Sequence, residues 1–298
     1  MADPRVAVVV MTHNRVEELL ATLARLSRLP EEPPIVVVDN GSADGTAEAV
    51  RAQFPAVELV ALERNVGAAA RNLGVARVDR SYVAFCDDDT WWDPWSLSRA
   101  ADVLDADSRV AVVTGTIVVE PGGEEDPVVE ELRHSPIPLP DGCPGPVLLS
   151  FLAGASMVRT DAYRAAGGFE PRLEVGGEEA LLSVDLAAAG WLMVHIADVV
   201  VHHLPSPTRD AHLRRRQGIR NALWFFWLRR PAGAALRRTG HLMATMPRDR
   251  HSVAAVATAV RGLPWVVRNR RVVPAEVEAG LRLLDHPQMH SRARQYVS

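Results

Sequence analysis

Three consecutive carboxylates, Asp87-Asp88-Asp89, close the apolar run of residues 82–86 (YVAFC). The run has the length and composition of a buried strand. Three like charges in a row repel one another, so the fold must supply an opposing charge. A hard divalent cation, Mg2+ or Mn2+, does this: it takes oxygen ligands and leaves positions open for substrate phosphates. Ligands of open α/β sheets lie beyond the carboxyl ends of strands, where this triplet falls. In isolation a solvated acidic turn explains the triplet equally well, so its companions decide. Glu178-Glu179 follow Gly176-Gly177 at a helix start, where they serve as a general base or simply favour the helix macrodipole. His202-His203 end an apolar run, either as ligands to the cation or as structural strand-end histidines. Arg71 is a fixed cation for a diphosphate or for the triplet, or a surface helix residue. Asp39-Asn40-Gly41 is an Asx-type turn or a strand-end carboxylate free to accept an N–H.

The elements that must position these groups alternate. Residues 6–11 (VAVVVM) read as a buried strand and 16–27 as a helix with Leu19, Leu20, Leu23 and Leu26 at helical spacing. Strands at 35–38, 57–62 and 82–86 follow, separated by helices over 47–53 and 68–76. This alternation implies βαβ units and a largely parallel sheet. No G-x-G-x-x-G turn follows the first strand, which argues against a dinucleotide site. Further on, a helix from 93 to 104, a strand over 110–119, strand-like runs at 151–158 and 191–196 and a helix over 178–189 are expected. Residues 121–146, rich in Pro, Gly and acids, read as an irregular loop and the best candidate for a flap.

The 298 residues, 48% hydrophobic and 23% charged, suffice for one large domain with an appendage. Cys86 and Cys143 form neither a disulfide framework nor a metal spacing, which fits a reducing compartment. The chain opens directly into a strand without a signal-like segment, and no apolar run approaches the roughly 20 residues needed to cross a bilayer. A cytoplasmic protein is expected. All 33 basic residues are arginine. Residues 1–204 carry 15 Arg and 32 acids, whereas 205–298 carry 18 Arg and 5 acids. An acidic body and a basic tail are thus joined in one chain.

Five motifs occur in an order that resembles family 2 glycosyltransferases. They are Thr12-His13-Asn14-Arg15, Asp39-Asn40-Gly41-Ser42-Ala43-Asp44-Gly45-Thr46, Arg64-Asn65-Val66-Gly67, Arg71-Asn72-Leu73-Gly74 and Phe85-Cys86-Asp87-Asp88-Asp89. The resemblance spans about residues 5–205. It implies an α/β GT-A fold with a Rossmann-like mixed sheet, a nucleotide-diphosphate sugar donor, Mg2+ or Mn2+, and inversion at the sugar carbon. By the same resemblance Asp39 reads the imide of uracil or thymine, so the donor is UDP- or dTDP-linked. Thr12, Asn14, Arg15, Asn65, Gly67 and Arg71 lie against the nucleotide and diphosphate. Asp87 lies near the ribose and Asp89 binds the metal, with Asp88 sharing either duty; Asp88-Asp89 as the working pair is an alternative register. Gly154, in Leu152-Ala153-Gly154-Ala155, lets the backbone approach the donor sugar. Glu179 is favoured as the base, with Glu178 beside it, and His202 or His203 completes the metal site.

The expected division is a catalytic domain over 1–204, with a nucleotide-sugar half to about 120 and an acceptor half over 121–204, followed by a basic helical region over 205–298. That region, with its Arg214-Arg215-Arg216 and Trp224-Phe225-Phe226-Trp227 segments, is expected to pack back on the body. Peripheral contact with anionic lipid at the inner face of a membrane, near a lipid-linked acceptor, is the second reading. Nucleic acid is disfavoured by the acidic body. Trp91-Trp92 and the 121–146 loop are expected to shape the acceptor side, with the core an equal reading for Trp92 and Trp95; the acceptor is a hydroxyl of a glycan, a lipid-linked intermediate or a natural product. Two rival functions are a sugar-1-phosphate nucleotidyltransferase, which needs a glycine-rich basic turn after the first strand, and a non-catalytic membrane-associated binding protein.

Overall fold

The computed structural model describes residues 2–206 and 211–290. The first half is a run of βα units: β1 (Val6–Thr12), α1 (Val16–Leu26), β2 (Ile35–Asp39), α2 (Thr46–Gln53), β3 (Glu58–Ala61), α3 (Ala70–Val75) and β4 (Tyr82–Asp87). Then come β5 (Thr90–Trp92), α4 (Ser96–Ala106), β6 (Val110–Val119), β7 (Glu124–Glu125), α5 (Pro127–Arg133), β8 (Ser156–Arg159), α6 (Thr160–Ala165), α7 (Glu178–Ala188) and β9 (Leu192–His203). Five helices complete the chain: α8 (Ala211–Arg229), α9 (Ala232–Thr245), α10 (Arg250–Arg261), α11 (Leu263–Asn269) and α12 (Ala275–His290).

The sheet order is β3-β2-β1-β4-β8-β6-β9-β5, with β7 on β6. The strands β3, β2, β1 and β4 are mutually parallel, while β8 and β5 run against their neighbours. The valine-rich β1, buried at every position but Met11, explains this arrangement. Val6, Val8 and Val10 enter one core with α1 and α4, and Ala7 and Val9 enter a second core with α3, α6 and α7 on the opposite face. The C-terminal helices are not a separate appendage. Val277 and Leu281 of α12 join the second core, and α8, α10 and α11 form a third core with Leu173 and Leu181. The Trp/Phe segment of α8 faces inward, with Trp224 and Phe226 each 7% exposed, as packing against the body requires.

Several expectations are corrected. Residues 121–146 are not wholly irregular: they contain β7 and α5. Asp126 caps α5 by accepting from the Val128 amide, Pro127 sits at the first turn, and Val129 and Leu132 are buried. The Pro/Gly-rich composition hid a capped helix start. The strand expected at 151–158 begins only at Ser156, because Ala153–Ala155 is a 3-10 turn. The strand expected to stop at 196 continues as β9 to His203, across register shifts against β6. The short β5 and α6 carried too little periodicity to be read. Of the two readings for Trp92 the core one holds, at 0% exposure with its indole donating to the Phe85 carbonyl, whereas Trp95 is exposed.

Candidate active site

Parallel register brings distant residues to one edge. Thr12 lies opposite Asp39 on β2, and Met11 opposite Asp87 on β4, so the carboxyl ends of β2, β1 and β4 stand side by side. Beyond β1 the chain turns through Asn14 at φ 53, a left-handed conformation that asparagine tolerates, into α1. Two groups of the opposite loop hold this turn: Ser42 accepts from the Asn14 amide, and Asp44 accepts from the Val16 amide at the start of α1. The Asn14 side chain accepts from the Ala43 amide, so it ties loop to loop. Asp39 is buried and one of its oxygens accepts from the Ser42 amide. The Asn65 carboxamide caps the Gly67 amide locally. Gly67 has φ 68, and a Cβ there would lie 2.5 Å from the Glu174 backbone, so only glycine fits this contact.

The triplet is offset by two arginines. Arg15 Nη1 donates to Asp88 Oδ1 at 2.9 Å and to Asp89 Oδ2 at 3.3 Å, and Thr12 Oγ1 donates to Asp88 Oδ2 at 3.0 Å. Asp88 thus turns inward; burial pushes its pKa up to about 6 against the pull of Arg15. Asp87 pairs with Arg71. Asp89 Oδ1 lies 3.8 Å from His203 Nε2. The strand alternation that turns His203 to Asp89 turns His202 away: His202 contacts Glu120 and Asp93 and stacks on Trp91. The structure therefore separates the two histidines, His203 beside Asp89 and His202 beside Glu120 and Asp93.

The base candidates meet the triplet through Arg71, which is 4% exposed. Burial alone would lower its pKa, but the charges of Asp87, Glu179 and Glu178 outweigh it and hold Arg71 charged. Glu178 is buried, its Oε2 has no hydrogen-bond partner, and burial lifts its pKa to about 8. Glu179 is half-buried. Burial raises its pKa too, while Arg71 and the Ala153 amide favour its charged form. That amide opens the 3-10 turn containing Gly154, where a Cβ would lie 2.8 Å from Asp87 Oδ2. Asp87, Gly154, Arg71 and Glu179 thus form one neighbourhood from four separate stretches. Five carboxylates (Asp87, Asp88, Asp89, Glu178, Glu179) share two arginines. Such a surplus of negative charge suits a cation.

Among the described residues no three His, Cys, Asp or Glu side chains form a ready metal cage. The donor set still fits Mg2+ or Mn2+. Asp89 and His203 adjoin, and a hard cation bound through one or two protein groups takes its remaining oxygens from phosphates.

Three asparagines do positioning work that sequence reasoning left unassigned. Asn40 accepts from the Val66 amide and donates to the Gly67 carbonyl, and Asn72 donates to the Phe169 carbonyl and accepts from its amide. Asn221 of α8 is 1% exposed and donates to the carbonyls of Leu173 at 2.7 Å, Val175 at 3.2 Å and Gly176 at 2.5 Å. It pins the loop that delivers Glu178 and Glu179. Asn40 and Asn72 lie inside recognisable motifs, but no local signal marks Asn221, whose partners lie more than 40 residues away.

The profile described as Glycosyl transferase family 2 matches residues 7–166, more than half of the chain. The chain belongs to glycosyl transferase family 2. Its similarity extends to the N-acetylglucosaminyl-diphospho-decaprenol L-rhamnosyltransferase of Mycobacterium tuberculosis, 28% identical over 244 residues covering 68% of this chain and 78% of that protein. An uncharacterized glycosyltransferase of Bacillus subtilis, YwdF, is 30% identical over 105 residues, covering 34% of this chain and 38% of that one. Among solved structures, the mannosyltransferase PcManGT from Pyrobaculum calidifontis, in complex with GDP-Man and Mn2+, superposes with a TM-score of 0.58 at 21% identity, covering 99% of this chain and 83% of that one. GalNAc-T7 with UDP, GalNAc and Mn2+ superposes at 0.64 with 12% identity, covering 97% and 58%. The family 2 member therefore has the GT-A fold, extended by C-terminal helices, and is a glycosyltransferase.

Proposed function

We propose that this glycosyltransferase moves a sugar, L-rhamnose in the first instance, from a UDP- or dTDP-linked donor to a hydroxyl of a lipid-diphosphate-linked acceptor, with inversion. The observation that carries the reading is the convergence of Asp39, the 87–89 triplet and Glu179 at the carboxyl edge of the parallel strands. The sugar and the lipid-linked acceptor rest on the mycobacterial relative, whose name carries both. The free lone pairs of Asp39 suit a base imide. Mg2+ or Mn2+ would be held by Asp89 and His203 with Asp87 nearby, and it supplies charge stabilisation for the departing diphosphate. Thr12 and Arg15 orient Asp88 and Asp89. Arg71 holds Asp87 and favours the charged form of Glu179 against the burial that raises its pKa. In the single displacement the acceptor oxygen bonds to the sugar C1, the C1–O bond to the diphosphate breaks, and Glu179 receives the hydroxyl proton. Glu179 fits this role better than Glu178, which is buried and, with a pKa near 8, mostly neutral at pH 7. Residues 1–204 form the catalytic division and 205–298 its support, which would also meet the inner face of a membrane.

Calorimetric titration of UDP, dTDP and GDP, each with and without Mn2+, tests the donor site. Metal-dependent binding of UDP or dTDP, lost in Asp89→Ala, is the expected result; binding of GDP alone would sink the pyrimidine assignment. Glu179→Gln is expected to retain donor binding and lose about 10²–10⁴-fold in kcat. Wild-type turnover in that variant would remove Glu179 from the mechanism.

A further inference from the structure

Exposed apolar side chains are concentrated at one end of this chain. Of fourteen exposed large hydrophobic residues among the described ones, nine lie beyond residue 210. The most regular set lies on α10 and α11. Gly262 closes α10 and opens α11 in αR conformation, its amide bonded to the Thr258 carbonyl and its carbonyl accepting from Val266, so the two helices follow each other across a one-residue joint. One face packs inward through Ser252, Ala255, Ala259 and Val266. On the solvent side Val253, Val260 and Val267 recur every seven residues, at 66%, 57% and 72% exposure. Exposed Ala257 and Pro264 lie in the gaps of that stripe. Leaving three valines in water at helical register costs free energy that a folded protein ordinarily avoids by covering them.

The charges around the stripe select its occupant. Arg250, Arg261 and Arg268 on these helices are exposed, as is Arg271 just beyond them, and none forms an ion pair among the described residues. Residues 250–275 contain no Asp or Glu, and 211–275 contain 14 arginines with Asp249 as their only acid. Arg215 already engages that acid. A second copy docking face to face would set arginine against arginine. A nucleic acid would leave the valines unpaired with anything apolar. An anionic bilayer matches both halves of the pattern, with valines at the acyl boundary and guanidinium groups at the lipid phosphates. No helix among the described residues is long and apolar enough to cross a membrane, so the contact is lateral.

We propose that the α10–α11 face docks the protein on the surface of an anionic lipid bilayer. This deepens the membrane part of the reading above but rests on the surface alone, not on the donor or acceptor. The position is mechanically apt: α10 packs on α8, and α8 carries Asn221, which holds the loop leading to Glu179.

The test is flotation of the full chain with vesicles of phosphatidylcholine alone and of phosphatidylcholine with phosphatidylglycerol. The wild type is expected to float with the anionic vesicles only and to be released by high salt. Val253→Ser/Val260→Ser/Val267→Ser should lower partition about tenfold or more. Arg250→Glu/Arg261→Glu/Arg268→Glu/Arg271→Glu should abolish the preference for anionic lipid. Thermal unfolding and nucleotide binding should match wild type in both, and the single Val260→Ser variant supplies a smaller loss in the same direction. Absence of wild-type flotation, or serine variants that float like wild type, overturns the proposal. So does a wild-type dimer that the serine variant dissolves, since the stripe would then be a self-interface. Loss of nucleotide binding in the wild type would instead overturn the transferase reading and leave the flotation result standing.

Discussion

Two buried arginines carry opposite lessons. Arg230, at the start of the α8–α9 connection and 2% exposed, donates to both oxygens of Glu278 at 3.0 Å and to Asp285 at 2.7 and 3.0 Å. Its two carboxylates are matched to it in geometry, and Arg282, Arg237 and Arg238 lie beside them as further cations. Arg71, 4% exposed, touches one carboxylate while two more act on it through space, and its Nε has no partner. Around it the orphaned Glu178 oxygen and the surplus of acids leave the balance unfinished. A buried ion network that is complete holds helices together. One left incomplete, at the edge of a parallel sheet, holds room for a ligand and costs the unliganded fold some stability.

The largest test of this contrast is Arg230→Met, which removes the buried partner of two acids and leaves them only Arg282, Arg237 and Arg238; it should lower unfolding free energy by about 3–5 kcal/mol. Denaturant melts measure it. Arg71→Met should cost clearly less stability yet abolish turnover, and equal destabilisation by the two would erase the distinction. Next in size is Asn221→Ala, which frees one buried and two half-buried carbonyls and should cost about 1–3 kcal/mol. If the loop is pinned for catalysis, kcat falls in that variant while nucleotide affinity holds; a parallel fall in both would make Asn221 merely structural.

The smallest effect sharpens the incomplete side. Glu178 has a folded pKa near 8 against 4.5 for the free side chain. Between those values the folded state keeps a proton that the unfolded state has lost. Stability from this group is therefore full below about 4.5 and declines as pH rises towards 8. Glu178→Gln, which imitates the neutral form, should flatten that decline. Melting temperature followed across this window is the measurement, and an unchanged slope would show that Glu178 is not held neutral.

Much of this was legible in the chain. The buried strands β1, β2 and β4 announce themselves as unbroken apolar runs, because a parallel sheet covered on both faces needs no polar alternation. Asp39 and the triplet follow those runs directly, so their place at strand ends could be read without coordinates. The helix α5 could not be read as easily: its cap Asp126 and Pro127 sit in a stretch whose composition says loop. His202 and His203 are chemically identical neighbours, and only pairing of β9 with β5 and β6 decides which one faces Asp89.

The sequence by itself determined the alternation of elements, the family motifs and the inventory of carboxylates, because each depends on local periodicity or on side-chain type. Tertiary structure alone decided how the charges are shared: Arg15 to Asp88 and Asp89, Arg71 to Asp87, Asn221 to the loop before Glu178. Those partners are separated by up to 74 residues, in the case of Arg15 and Asp89. Electrostatic and hydrogen-bond energies depend on distance in space, and no pattern along the chain encodes that distance until the sheet has assembled.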